Sequence, residues 1–307
     1  MTVGPLLDHL LARRTVLVTG KGGVGKTTVA AGLARAAAAK GKRTLCAEVS
    51  YEKSATSPLA QALGTTEFHE EPRSLSENLS GVLLTPHAGH LQFLRDSLPV
   101  RMLADAAMKS AAIRRFLLAA PTLPEMGILY RLLDLLRQKR RDGSPLHDVL
   151  IIDLPATGHA LGLAQIPAAI VEVIRSGPIH AAVLEGLEML RDPKQTTALV
   201  VTLPETLPVS EAIELAHGIR KHQLPLAAVV LNRVPANPFS AEERVALDAM
   251  QLEPMRTLGA RRVPRIDRAK AARIRLLELK IPVRLVPELG LEADVAAAVA
   301  TALQGAS

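Results

Sequence analysis

The 307-residue chain predicts an α/β protein built on a doubly wound, mostly parallel sheet. The expectation rests on two features. Short β-branched, apolar runs alternate with longer segments of helical apolar spacing, as in chains of strand–helix–strand units. The first such run, Thr15–Thr19, leads at once into Gly20-Lys-Gly-Gly-Val-Gly-Lys-Thr-Thr28 and then into the alanine-rich stretch Thr27–Lys40, which ends before Gly41. Strand, glycine loop and helix therefore follow one another in the order that a phosphate-binding turn requires.

Further strands are expected at Arg43–Val49, Gly81–Thr85, Asp148–Asp153, Ala198–Leu203, Ala227–Asn232 and Pro282–Val286, because each is short, apolar and bounded by turn or helix signals. Helices of near 3.6-residue spacing fill most gaps. The region from about 87 to 141 breaks this rhythm: it is too long for a simple crossover and reads as several helices, among them Ala104–Ala119 and Pro124–Lys139. It is expected to be a helical insertion riding on the sheet of a single domain spanning 1–307, a length that large α/β units reach. The chain shows no internal repeat, low-complexity tract or linker.

Composition narrows the class. Hydrophobic residues make up 48%, yet charge interrupts the apolar stretches, and none approaches the roughly 18 residues of a membrane span. The first residues, with Asp8, His9, Arg13 and Arg14 among a few leucines, do not read as a signal peptide, so a cytoplasmic protein is expected. The single cysteine, Cys46, excludes a disulfide framework or a cysteine-clustered metal site within one chain. His87 and His90, and His217 and His222, come without a third ligand. The net charge of +7 is largely local, in Arg256, Arg261, Arg262, Arg265, Arg268, Lys270, Arg273 and Arg275. That stretch reads either as a solvated helix or as a surface for nucleic acid, an anionic membrane or an acidic partner. Aromatic residues at 2% offer no evident base-stacking platform.

The glycine run satisfies the phosphate-loop pattern GxxxxGK[ST]. Gly22, Gly23 and Gly25 let backbone N–H groups turn onto phosphate oxygens, and the following helix adds its positive dipole end. Gly20, Val24 and Thr28 belong to the same cradle. Lys26 is expected at the β- and γ-phosphates of ATP, and the Thr27 hydroxyl on Mg²⁺. Lys21, directly after the first glycine, is an extra lysine that narrows the class of nucleotidase.

Open parallel sheets bind ligands at their carboxyl edge. There Asp153 closes an apolar strand and is followed by a turn containing Gly158. The carboxylate is expected on Mg²⁺ through its water shell, and the Gly158 N–H at the γ-phosphate, which would make this turn a nucleotide sensor. Glu48 either orients the attacking water, joins the Mg²⁺ shell, or is an ordinary strand-end carboxylate; Ser50–Ser54 would then be a first switch loop. Asn232 either reads the adenine edge with its amide or forms a turn.

These residues resemble a known family. Gly20–Thr28, Asp153-Leu-Pro-Ala-Thr-Gly-His159, Leu203-Pro-Glu205 with the helix at Glu211, and Asn232-Arg233 are similar to the ArsA-type anion-pump ATPases and their relatives that target tail-anchored membrane proteins. The order and spacing match from roughly 14 to 303. The phosphate loop belongs to the deviant group that includes MinD, ParA and the nitrogenase iron protein. The resemblance implies an ATPase using ATP and Mg²⁺. It implies a nucleotide-gated homodimer in which Lys21 crosses to the partner's ATP, and a protein client coupled through the helical insertion. It also places Pro287, in Pro287-Glu-Leu-Gly-Leu291, on a loop covering the adenosine. The departures are equally informative. With Cys46 alone, neither a cysteine-bound arsenite site nor a zinc clasp is possible, and the Asp-Pro-x-His context of the first switch is replaced by Glu48-Val-Ser-Tyr-Glu-Lys-Ser54, which leaves hydrolysis resting on Glu48, or slow. Met102, Met108 and Met126 in the insertion suit either a client groove or ordinary core. The remaining alternatives are a positioning ATPase on nucleoid or membrane and a non-hydrolysing, ATP-gated binding module.

Overall fold

A computed structural model describes residues 6–51, 56–98, 101–119, 123–156, 159–249, 258–289 and 294–304. Its centre is an eight-stranded sheet. The strands are β1 (Thr15–Gly20), β2 (Thr44–Val49), β3 (Arg73–Ser76), β4 (Leu79–Leu84), β5 (Val149–Asp153), β6 (Thr196–Thr202), β7 (Leu226–Val234) and β8 (Val283–Pro287), in the order β3-β4-β2-β5-β1-β6-β7-β8. Every neighbouring pair is parallel except β3 with β4. β1 lies between β5 and β6, which makes its carboxyl end the point where the strand order reverses.

Alternation along the strands sends side chains to two cores. Leu17 joins one apolar cluster, while its neighbours Val16 and Val18 join the other. On the second face pack α1 (Leu6–Leu11), α2 (Lys26–Ala39), α3 (Pro58–Ala62) and α13 (Val295–Gln304). The first face is covered by α7 (Leu123–Arg137), α9 (Pro178–Arg191), α10 (Thr206–Lys221) and α12 (Leu258–Leu277). Between β4 and β5 run four helices, α4 (Pro86–Ser97), α5 (Arg101–Lys109), α6 (Ala111–Ala119) and α7; α8 (His159–Val173) follows β5, and α11 (Ala241–Ala249) follows β7.

The expected strands are found, shifted by one or two residues at most. The edge strand β3 was not expected. Its Arg-Ser-Leu-Ser sequence is largely exposed and has no apolar alternation, and it forms only because Asn78, at φ 60°, turns the chain back onto β4. The stretch Ala104–Ala119 divides at Ser110, whose hydroxyl accepts from the Ile113 N–H at 3.5 Å and starts α6. Arg256 of the basic stretch, Gly158, and Glu52–Ser54 of the first switch segment lie outside the described residues.

Candidate functional site

β1 ends on Gly20, and α2 begins at Lys26 with Gly25 as its N-cap. The five-residue turn between them is possible because of its glycines. A Cβ on Gly20 would lie 2.3 Å from the Val201 carbonyl oxygen of the adjacent β6. Gly25 sits at φ +94°, where a Cβ would come within 2.3 Å of Asn232 Nδ2. No side chain caps α2, and no acidic residue occupies its first turn. Its free N–H groups and dipole therefore face the glycine loop as an anion site.

Lys26 Nζ donates to the Lys21 carbonyl oxygen at 3.0 Å, so the loop's two lysines are tied together through the main chain. Burial lowers the Lys26 pKa below the ordinary lysine value, while nearby Asp153 acts in the opposite sense. Lys21 itself, about half exposed, pairs with Glu211 Oε1 of α10 at 2.6 Å.

Asp153, the last residue of β5, stands beside the start of α2. Its Oδ2 accepts from the Thr27 hydroxyl at 2.6 Å. The residue is only 7% exposed, and Oδ1 is buried without a hydrogen-bond partner. Desolvation raises its pKa to about 6, opposed by the Thr27 hydrogen bond and by Lys26, and reinforced by Glu48. A buried carboxylate oxygen lacking a partner is costly, and beside a threonine hydroxyl it fits a hard divalent cation, which takes oxygen ligands. Thr27 and Asp153 are therefore a donor set suited to Mg²⁺.

Glu48 lies directly opposite Asp153 in the β2–β5 register. Its Oε2 accepts from Ser57 Oγ at 2.6 Å and from the Leu59 N–H at 2.9 Å, holding the start of α3. Asn232 is placed beneath the glycine loop. Its Nδ2 donates to the Val24 carbonyl at 2.9 Å, and its Oδ1 accepts from the Arg233 N–H at 2.9 Å. The amide thus secures the cradle from below, a role the sequence did not suggest. Arg233 follows at φ 53°.

Beyond Asn232, a cleft of about 180 Å³ opens over the ends of β6, β7 and β8, lined by Glu205, Arg233, Arg265, Arg268 and Glu288 with flanking prolines and Leu203. Arg265 pairs with Glu288 at 2.6 Å. Pro287, beside these residues, pairs with Val234 at the sheet edge, while residues 290 to 293 lie outside the description. Sequence reasoning did not single out Glu205 or Glu288 for a role, nor the partnership of Lys21 with Glu211. Much of the basic stretch is engaged within the fold: besides Arg265, Arg262 donates to the Ala236 carbonyl and Arg275 to Ser210 Oγ.

The parallel sheet, with its phosphate loop at the strand-order reversal, defines a nucleoside-triphosphate-binding protein of the phosphate-loop class. The family model of the anion-transporting ATPases matches residues 13–185, more than half of the chain, and the chain belongs to that family. It is 28% identical over 236 residues to ATPase BagA of Mycobacterium tuberculosis, covering 75% of this chain and 68% of that protein. It is 26% identical over 277 residues to ATPase GET3B of Arabidopsis thaliana (72% and 64%). To the arsenical pump-driving ATPase of Escherichia coli it is 27% identical over 250 residues (75% and 41%). Among the described residues no helix is long and apolar enough to cross a membrane.

Proposed function

We propose that the protein is an Mg²⁺-dependent, ATP-hydrolysing molecular switch that works as a homodimer and couples its nucleotide state to a client through the helices between β4 and β5. The observation that carries this reading is the buried Asp153 carboxylate, with one oxygen on Thr27 and the other unpartnered, beside the uncapped N-terminus of α2.

The glycine loop and the α2 amides bind the triphosphate, with Lys26 at its β- and γ-oxygens. Bound Mg²⁺ supplies charge neutralisation on the phosphate oxygens. Asp153 and Thr27 orient it, and Lys26 stabilises charge on the transferring group, the main contribution in this chemistry. Lys21 leaves Glu211 to reach the partner's nucleotide. Glu48 positions the water, directly or through the turn it holds at Ser57 and Leu59. Gly158 reads the γ-phosphate, and Asn232 and Pro287 border the adenosine. The E. coli relative is named for an arsenical pump; the lone, fully buried Cys46 suits no thiolate site here, and the client is placed among the helices instead.

Support for the coupling lies in α8. It begins just past the Asp153 turn and runs for 15 residues, or roughly 22 Å at helical rise. Near its far end, Ile170 lines an apolar cavity enclosed by α4 to α9. A shift of the turn on nucleotide binding is thus carried toward the cavity wall along α8, whose interior Pro167 lies three residues before Ile170.

Mg²⁺-dependent ATP turnover by the purified chain, beside Lys21→Ala and Asp153→Asn, tests the reading. Turnover that rises with protein concentration more steeply than first order, and collapses in both variants, is the expected result. ATP binding with no turnover above the variants would replace it with a nucleotide-gated binding module.

A further inference from the structure

The cavity among α4 to α9 measures about 450 Å³, within the usual range of small-ligand sites. Its lining is almost wholly apolar. Phe93 and Leu94 come from α4, Ile113 and Leu117 from α6, Leu129 from α7 and Val183 from α9. The two polar side chains at its wall are already committed. His90 Nε2 sits 2.7 Å from the Leu123 carbonyl oxygen, and the Tyr130 hydroxyl donates to Asp96 Oδ2 at 2.7 Å. Water held there would lack the two to four polar partners that a buried water needs. The cavity therefore favours an apolar occupant.

Size decides which one. A membrane-spanning helix of about 20 residues is ~30 Å long and ~10 Å across, a volume on the order of 2,000 Å³, several times what the cavity holds. With a methylene taken as about the size of a water molecule's share of liquid, ~30 Å³, the space takes one hydrocarbon chain of roughly fifteen carbons. The mouth supplies the other half of an amphiphile site. Ile113 and Ile179 line the cavity yet are 37% and 44% exposed. Arg175 follows Ile174, which lines the cavity, in the α8–α9 turn. Arg175 is exposed and has no ion-pair partner among the described residues.

We propose that this cavity binds a single-chain fatty acid, its hydrocarbon chain among α4 to α9 and its carboxylate at the mouth near Arg175. The proposal deepens the reading above by naming the client's chemical class. It rests on that reading only in taking the helical region as the client-bearing part, and it requires no ATP turnover.

Displacement of a fluorescent fatty acid by palmitate, from the full chain without nucleotide, tests it. The expected result is saturable binding of one probe per chain. Filling the cavity with Ala182→Phe or, from α5, Ala107→Phe weakens palmitate at least tenfold. Arg175→Ala, at an exposed site that leaves packing intact, weakens palmitate several-fold but leaves its methyl ester unchanged. A Lys26→Ala protein, which loses ATP turnover, still binds palmitate, so failure of the ATPase reading and failure of this one are distinguishable. The proposal is overturned by absence of saturable displacement in the wild type, or by undiminished binding in both filled variants with native circular dichroism. Equal losses of acid and ester in Arg175→Ala would overturn the headgroup assignment. Displacement of the probe by a 20-residue apolar helical peptide at lower concentration than palmitate would assign the cavity to a protein segment instead.

Discussion

Asp153→Asn removes the charge from the buried β5 carboxylate while preserving its shape, and its consequence for stability can be worked out from the site. Burial lifts the Asp153 pKa from 3.8 to about 6. An acid with a raised folded pKa binds more protons folded than unfolded between those two values, so stability falls as pH rises through that window, and the penalty is complete above about pH 6. Two units correspond to about 3 kcal/mol at pH 7.5 and about 1 kcal/mol at pH 4.5. The asparagine escapes this penalty, keeps an acceptor for the Thr27 hydroxyl, and pays about 1–3 kcal/mol for a buried NH₂ where Oδ1 stood without a partner. The absolute difference between the two proteins is therefore small, but its pH dependence is not. Urea unfolding in EDTA should show the variant gaining about 2 kcal/mol relative to wild type between pH 4.5 and pH 7.5. On the proposed function, adding Mg²⁺ and ATP should then stabilise the wild type far more than the variant, because the negative oxygen would hold the cation, directly or through its water shell. A stability difference that stays flat with pH would refute the desolvated carboxylate, and equal stabilisation of both proteins by Mg²⁺ and ATP would refute its metal role.

Gly25→Ala forces a Cβ into the left-handed region, 2.3 Å from Asn232 Nδ2, a strain of about 1–2 kcal/mol before the clash; nucleotide-induced thermal stabilisation should vanish while helical circular dichroism persists. Glu48→Ala leaves Ser57 and the Leu59 N–H without their acceptor and should cost about 2 kcal/mol in denaturant unfolding. Glu48→Gln keeps an acceptor and should cost under ~1 kcal/mol, so a loss of turnover in that variant reports chemistry rather than folding. Glu211→Gln breaks a half-exposed ion pair with Lys21, worth at most about 1 kcal/mol. It should leave the melting temperature nearly unchanged and shift ATP-dependent self-association in sedimentation to lower protein concentration; a shift to higher concentration would show that Glu211 supports the dimer instead of holding Lys21 back.

What was legible in the sequence is what short-range physics controls. The phosphate loop is a contiguous run whose glycines and lysines declare their use wherever they occur, and β1, β5 and β7 announce themselves through apolar runs that are buried on both faces. Asp153 could be placed at a strand's carboxyl end because strand length and turn onset are both local. β3 could not be read: an exposed Arg-Ser-Leu-Ser segment becomes a strand only by pairing with β4. Three further features depend on residues far apart in the chain. Lys21 meets Glu211, Asn232 supports Val24, and Thr27 meets Asp153, contacts that exist because β5 and β6 flank β1 and β7 lies next to β6. Glu48 illustrates the limit most clearly. Its place at the end of β2 was evident, but that its carboxylate holds the first turn of α3 follows from where the chain returns at Ser57. The sequence by itself determined the elements and the chemistry of the loop, because periodicity and glycine content act within a few residues. Only the tertiary structure decided which side chains share a site and how large a cavity six helices leave between them, because strand order and helix packing bring together residues that no local pattern connects.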